Sequence, residues 1–159
     1  MGRHCPNCNK EIDMGLDMYL SAKKYLYDNP KDEDGVKVSN VAGAGNMRLK
    51  ELTYEAMYWR KANQIHQWFV DNVQGGADNC GEYPVSRQQL EDLVQDCKTV
   101  IDNPKRASEV LPSTPGFFFG ATEYDDWYKQ NVQETHDKLL ELLGRPMGHE
   151  WSFSYQSSW

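Results

Sequence analysis

Leu16, Met18 and Leu20 alternate with Asp17, Tyr19 and Ser21, a period of two that predicts a half-buried strand near the start of the chain. The same run, extended to Tyr27, is also compatible with a helix. Asn29-Pro30-Lys31-Asp32-Glu33-Asp34-Gly35 is polar turn chemistry, and Val36-Lys37-Val38-Ser39 alternates again, so a β-hairpin is expected here. Ala42-Gly43-Ala44-Gly45-Asn46 reads as a loop. It lacks the Gly-Lys-Ser/Thr ending of a phosphate loop. From about 49 to 73, Leu52, Ala56, Trp59, Asn63, His66, Val70 and Val73 recur at helical spacing, which predicts one long helix ended by Gly75-Gly76.

The second half is better punctuated. Cys80-Gly81-Glu82-Tyr83-Pro84-Val85 reads as a short extended piece, and Ser86 with Gln89 has the spacing of a capping box. Leu90, Leu93, Val94, Cys97, Val100 and Ile101 then form an amphipathic stripe closed by Asn103-Pro104. Cys97 within that stripe is expected to be a small buried hydrophobe. Phe117-Phe118-Phe119 lies between glycines and reads as extended. Thr122 is placed to cap a last long helix with Tyr128, Val132, Thr135, Leu139 and Leu142 on one face, ended by Gly144 and Pro146. Trp151-Ser152-Phe153-Ser154-Tyr155 alternates strictly and predicts a terminal strand. The fold class is therefore α+β: three main helices packed with a small sheet made of an N-terminal hairpin and a C-terminal strand.

Composition sharpens this picture without changing it. At 159 residues the chain is long enough for a core without disulfides or metal. Residues 1–13 read as an N-terminal extension and 14–159 as one globular domain. Mean hydropathy is low, at −0.79, but nine Tyr and five Trp compensate because each ring buries much area. A net charge of −7 argues against direct nucleic-acid binding, which needs basic surface. It suits a basic protein partner, or a small ligand held by a few local cations. No apolar run reaches the ~20 residues of a membrane helix, and no signal-peptide core opens the chain. Four cysteines do not make a secreted disulfide framework. A reducing cytoplasm is the expected setting, and self-association is compatible with the chain.

Candidate chemistry is sparse. Cys5-Pro6-Asn7-Cys8 has the spacing of one zinc knuckle, with His4, Cys80 or a second copy of the chain to complete the four ligands. No cofactor is otherwise required. The segment Tyr58-Trp59-Arg60-Lys61-Ala62-Asn63-Gln64-Ile65-His66-Gln67-Trp68-Phe69-Val70 is richer in hydrogen-bonding groups than a core helix needs. On a helix, Arg60 and Asn63 would share a face with His66 beside them. Arg60 could grip a phosphate or carboxylate, and Asn63 the edge of a base or amide. The competing role is structural, since a buried Asn or His also satisfies a loop's backbone groups. Tyr124 and Trp127 offer ring faces to stack a base or pack a core, and Glu82 and Tyr83 join them as candidate ligand contacts. Enzyme templates are not met: there is no G-x-S-x-G, no H-E-x-x-H and no zinc-deaminase pattern. Cys80 with His66 could form a nucleophile and base, but nothing local supports that pairing.

From Met14 onward the chain resembles a widespread family of small bacteriophage proteins with no established activity. The motifs that carry the resemblance are Met14-Gly15-Leu16-Asp17-Met18-Tyr19-Leu20, the 58–66 and 68–70 segments, Cys80-Gly81-Glu82-Tyr83, Phe117-Phe118-Phe119-Gly120 with Tyr124-Asp125, and Tyr155-Gln156-Ser157-Ser158-Trp159. The extension carrying Cys5 and Cys8 departs from the family pattern, as does the 30–45 loop in detail. The resemblance implies a viral origin and expression in a bacterial host, and it transfers no catalytic residue. The expected function is that of a non-enzymatic accessory protein, acting against host defence. It would sequester a small nucleotide-like ligand in a pocket lined by Arg60, Asn63 and aromatic rings. The alternative is an acidic inhibitor that occludes a host defence or nucleic-acid-binding protein. A third reading, a metal-dependent hydrolase or transferase, rests on the N-terminal cysteines.

Overall fold

Alternation governs the two strands that begin the fold. In the computed structural model, which describes residues 15–26, 45, 47, 49–116 and 119–159, β1 (Asp17–Tyr25) buries Met18, Leu20 and Ala22 on one face. It pairs antiparallel with β2 (Glu51–Arg60), Met18 opposite Trp59 and Leu20 opposite Met57. The register shifts after Leu20, so that Ser21 faces Glu55 and Ala56 is the extra residue of a bulge. Without that shift, Tyr54 and Leu52 would point to the same face as Glu55 does now.

The helix expected over 49–73 is therefore two elements. Residues 51–60 are strand, and only Asn63–Asn72 is helix α1. Thr53, Tyr54, Tyr58 and Trp59 are β-branched or aromatic and suit a pleated surface. Lys61 turns the chain with a left-handed φ of 55°, and its N–H donates to the Leu16 carbonyl at 2.7 Å. The expected hairpin pairs the first strand with Val36–Ser39; among the described residues β1 pairs instead with β2 and with the terminal strand Trp151–Ser158. Val36–Ser39 and the Cys5/Cys8 knuckle lie outside the described residues, as do Phe117 and Phe118.

Two further strands complete the sheet. The terminal strand β4 (Trp151–Ser158) pairs antiparallel with β1, and β3 (Tyr83–Val85) pairs with β4, giving the order β2-β1-β4-β3. Antiparallel strands of this kind read as one apolar and one polar face. Met18, Leu20, Ala22, Met57, Trp59, Phe153 and Tyr155 are buried against the helices. Tyr58 and Arg60 lie exposed on the opposite face.

Helix α1 buries Ile65, Trp68, Phe69 and Val70, and ends where Gly75 and Gly76 take left-handed backbone (φ 62° and 82°). Helix α2 (Arg87–Asp102) begins with the expected capping box: Ser86 Oγ accepts from Gln89 N at 3.1 Å, and Gln89 Oε1 accepts from Ser86 N at 2.9 Å. Its buried residues are Leu90, Leu93, Val94, Cys97 and Val100. After a 3₁₀ turn comes the short helix α3 (Ala107–Val110), and then α4 (Asp126–Leu143), which packs on α2. The cap of α4 is Asp125 rather than Thr122, its carboxylate accepting from Tyr128 N at 3.0 Å. The expected stripe of Tyr128, Val132, Thr135, Leu139 and Leu142 is buried. Thr135 earns its place there by accepting from the Trp59 indole N–H at 2.8 Å while donating to the Asn131 carbonyl at 2.6 Å. No helix among the described residues is long and apolar enough to cross a membrane.

Candidate functional site

The polar residues of α1 face inward. Asn63 is 2% exposed. Its Nδ2 donates to the carbonyls of Phe119 (3.0 Å) and Ala121 (2.9 Å), and its Oδ1 accepts from Thr114 N at 2.9 Å. Both amide donors are thus used to hold the backbone at Phe119 and Ala121 against the first turn of α1. That is the structural role weighed above, and it corrects the picture of Asn63 beside Arg60 on one helix face. Arg60 ends β2, before the turn at Lys61, on the open face of the sheet. Next to it Tyr58 donates to Asp17. Burial, and then that carboxylate, push the Tyr58 hydroxyl up to about 12.

His66 is fully buried and joins α1 to the 74–80 turn and to β4. Its Nδ1 lies 2.7 Å from the Tyr155 hydroxyl. Its Nε2 lies 3.1 Å from Asp78 Oδ2, within ion-pair reach but off the direction of a good N–H hydrogen bond. The indole N–H of Trp159 donates to Asp78 Oδ1 at 3.0 Å, tying down the end of β4. Tyr155 stacks flat on Phe69, ring centroids 3.9 Å apart. Burial, with the Asp78 charge and Cys80 adding to it, pushes the Tyr155 hydroxyl well above its ordinary value, so it keeps its proton. Burial alone would raise Asp78. The contacts from His66 and Trp159 outweigh it and hold the carboxyl below its ordinary range.

An Asp-His-Tyr line has the connectivity of a proton relay, but here it is sealed. A catalytic base must come within hydrogen-bond reach of a substrate proton, and the His66 ring has no exposed surface. Cys80, also buried, takes left-handed backbone with φ 58° and offers its carbonyl to Gln156 Nε2 at 3.1 Å. The cluster reads as a brace between α1, the 74–80 turn and β4. A stability test follows from the sign of the Asp78 shift. A carboxyl held low stabilises the fold fully above the ordinary carboxylate range, and that contribution shrinks below it and is lost as pH falls through the lowered value. Wild type is expected to melt above Asp78→Asn at pH 7, with the gap closing as pH is lowered to 3. A gap that stays constant in differential scanning calorimetry over that range would contradict the brace.

The other candidates are dispersed. Glu82 contacts Lys23 and accepts from Ser154 Oγ at 2.6 Å, and those two contacts hold its carboxyl low. Tyr83 shares hydrogen bonds with the Asn79 side chain. Tyr124 accepts from Ser113 N at 3.3 Å and meets Tyr128 edge-on at 4.9 Å. With Val100, Pro104, Tyr128 and Lys129 it lines a cavity of about 220 Å³ whose wall includes neither Arg60 nor Asn63. Trp127, on the first turn of α4, is 53% exposed. The residues expected to share one pocket thus lie on the open sheet face, in the interior, beside β3 and at the start of α4. Among the described residues no group of three or more His, Cys, Asp or Glu is placed to hold a metal ion.

A larger groove lies elsewhere. It has a volume of about 600 Å³ and runs between the helix-facing side of β1, β2 and β4 and the last turns of α4, lined by Lys24, Tyr54, Lys138, Arg145 and Trp151. The Tyr54 and Trp151 rings stand 5.7 Å apart at 40°, and Lys24 Nζ lies 5.7 Å from the centre of the Trp151 ring. Glu55, Glu141 and Glu150 share the wall, Glu141 accepting from Arg145 Nη2 at 2.8 Å. No protein-family model, curated protein or solved structure matches the chain.

Sequence reasoning missed this groove. Tyr54 falls inside the span read as helix, where it has no geometric relation to Trp151. The β-branched and aromatic content of Thr53, Tyr54, Tyr58 and Trp59 was the signal that could have marked a strand there.

Proposed function

We propose that the protein is a non-enzymatic binding protein that sequesters a small nucleotide-like ligand in the groove between β4 and the end of α4. The observation that carries this reading is the convergence of two aromatic rings and three cationic side chains on one concavity of about 600 Å³. That volume is of the order occupied by small-molecule sites, ~300–1,000 Å³. A nucleotide presents a π-face to stack, an anionic phosphate for Lys24, Lys138 and Arg145, and N–H and hydroxyl donors for the glutamates. The resemblance to bacteriophage proteins supports the wider reading: an accessory, anti-defence role in the host cytoplasm. A zinc ion on Cys5 and Cys8 belongs to the same proposal and is tested by metal analysis of the full-length chain.

Isothermal titration with nucleoside monophosphates is expected to show saturable heat. Loss of one base-stacking ring costs ~1–3 kcal/mol, so Trp151→Ala is expected to weaken binding about tenfold or more, with its melting transition still cooperative. Absence of heat with every monophosphate, or an unchanged affinity in Trp151→Ala, would refute the proposal. A second reading is favoured by one feature, the exposed Trp127 and Tyr124 among Glu123, Asp125 and Asp126. It makes the chain an acidic inhibitor of a basic host protein, since aromatic residues are enriched at interface hot spots. Loss of a stoichiometric host partner in Trp127→Ala pull-downs would support that reading.

A further inference from the structure

We infer that the ligand is a dinucleotide, two nucleotide units joined by a phosphodiester; this rests on the groove reading above. A second concavity, of about 280 Å³, adjoins the first, and Met147 and Trp151 line both. The smaller one is otherwise walled by Pro84, Val85, Arg87, Gly148 and Phe153. It repeats the chemistry of its neighbour in reduced form, with Trp151 and one guanidinium. The half-buried Trp151 thus stands as a common wall between two hollows, each with its own cation.

Each hollow offers its own arginine to a linking phosphate. Arg87 donates through Nη2 to the carbonyl of Leu143, the last residue of α4, and through Nε to Glu91 at 3.2 Å. Arg145 lies two residues beyond Leu143 and lines the larger groove. One arginine thus lines each hollow, with Met147 and Trp151 shared between them. A phosphodiester crossing that wall would join one unit in the groove beside Tyr54 and Arg145 to another beside Phe153 and Arg87. A single nucleotide would use only one of the two hollows. Joining two units makes occupation of the second hollow intramolecular, which raises affinity without new contacts.

The test is calorimetric titration of the full-length protein with adenosine 5′-monophosphate and with 5′-phosphorylated diadenylate. The diadenylate is expected to bind one per chain and at least about tenfold more tightly. Arg87→Ala is expected to bring the diadenylate down to the affinity of the monophosphate. Gly148→Trp should do the same by filling the smaller hollow, the Glu150 carboxylate swinging aside from the new side chain. Equal affinities of the two probes for the wild type would overturn this inference and leave the groove reading standing. No heat from either probe would overturn both.

Discussion

Tyr155→Ala is expected to lower the free energy of unfolding by about 4 kcal/mol, in the range found for removing a large aromatic side chain from a core. Tyr155 is fully buried on β4, stacked on Phe69 of α1, and its hydroxyl meets His66. Its loss leaves a ring-sized void between sheet and helix and strips His66 of its Nδ1 partner at the same time. Tyr155→Phe separates the two effects. It keeps the stack and removes only the hydroxyl, so the expected cost is about 1–2 kcal/mol. Equilibrium urea unfolding measures both. A Phe variant as unstable as the Ala variant would place the weight of the cluster on the hydrogen bond rather than on packing.

Asn63→Asp is the second large effect. The two donors that Asn63 Nδ2 gives to the Phe119 and Ala121 carbonyls would be replaced by a carboxylate oxygen facing both. Buried acceptors left without donors, beside a buried charge, are expected to cost about 3 kcal/mol or more. Asn63→Ala, which removes the hydrogen bonds without adding charge, should cost less. Chemical denaturation reads the stability, and limited proteolysis is expected to find new cleavage within 111–125 in both variants. An Asn63→Asp protein with wild-type stability and an uncut loop would contradict the role given to Asn63.

These two residues also show what could be read in the chain beforehand. β1 and β4 were legible because a sheet with one buried face imposes strict alternation, and Met18, Leu20, Phe153 and Tyr155 obey it. Helix α2 was legible from its capping box and stripe. β2 was not. The extra residue at Ala56 breaks the period of two, so that Leu52, Ala56 and Trp59 imitate helical spacing and appear to run into α1. The polar excess around Asn63 and His66 is plain in the chain, but the groups it bonds lie far away in sequence. Asn63 bonds to groups 51 to 58 residues distant, and His66 reaches Tyr155 across 89. No local pattern announces such contacts. The groove depends on the same missing knowledge, since Tyr54 meets Trp151 only once β2 and β4 flank β1.

The most direct test of the groove as the ligand site is the ¹⁵N–¹H spectrum of the full-length protein titrated with adenosine 5′-monophosphate. The Trp151 indole resonance and the amides of Tyr54 and Arg145 are expected to move together along one saturating curve. Resonances unmoved at millimolar nucleotide, or shifts confined to Tyr124 and Trp127 at the start of α4, would contradict it.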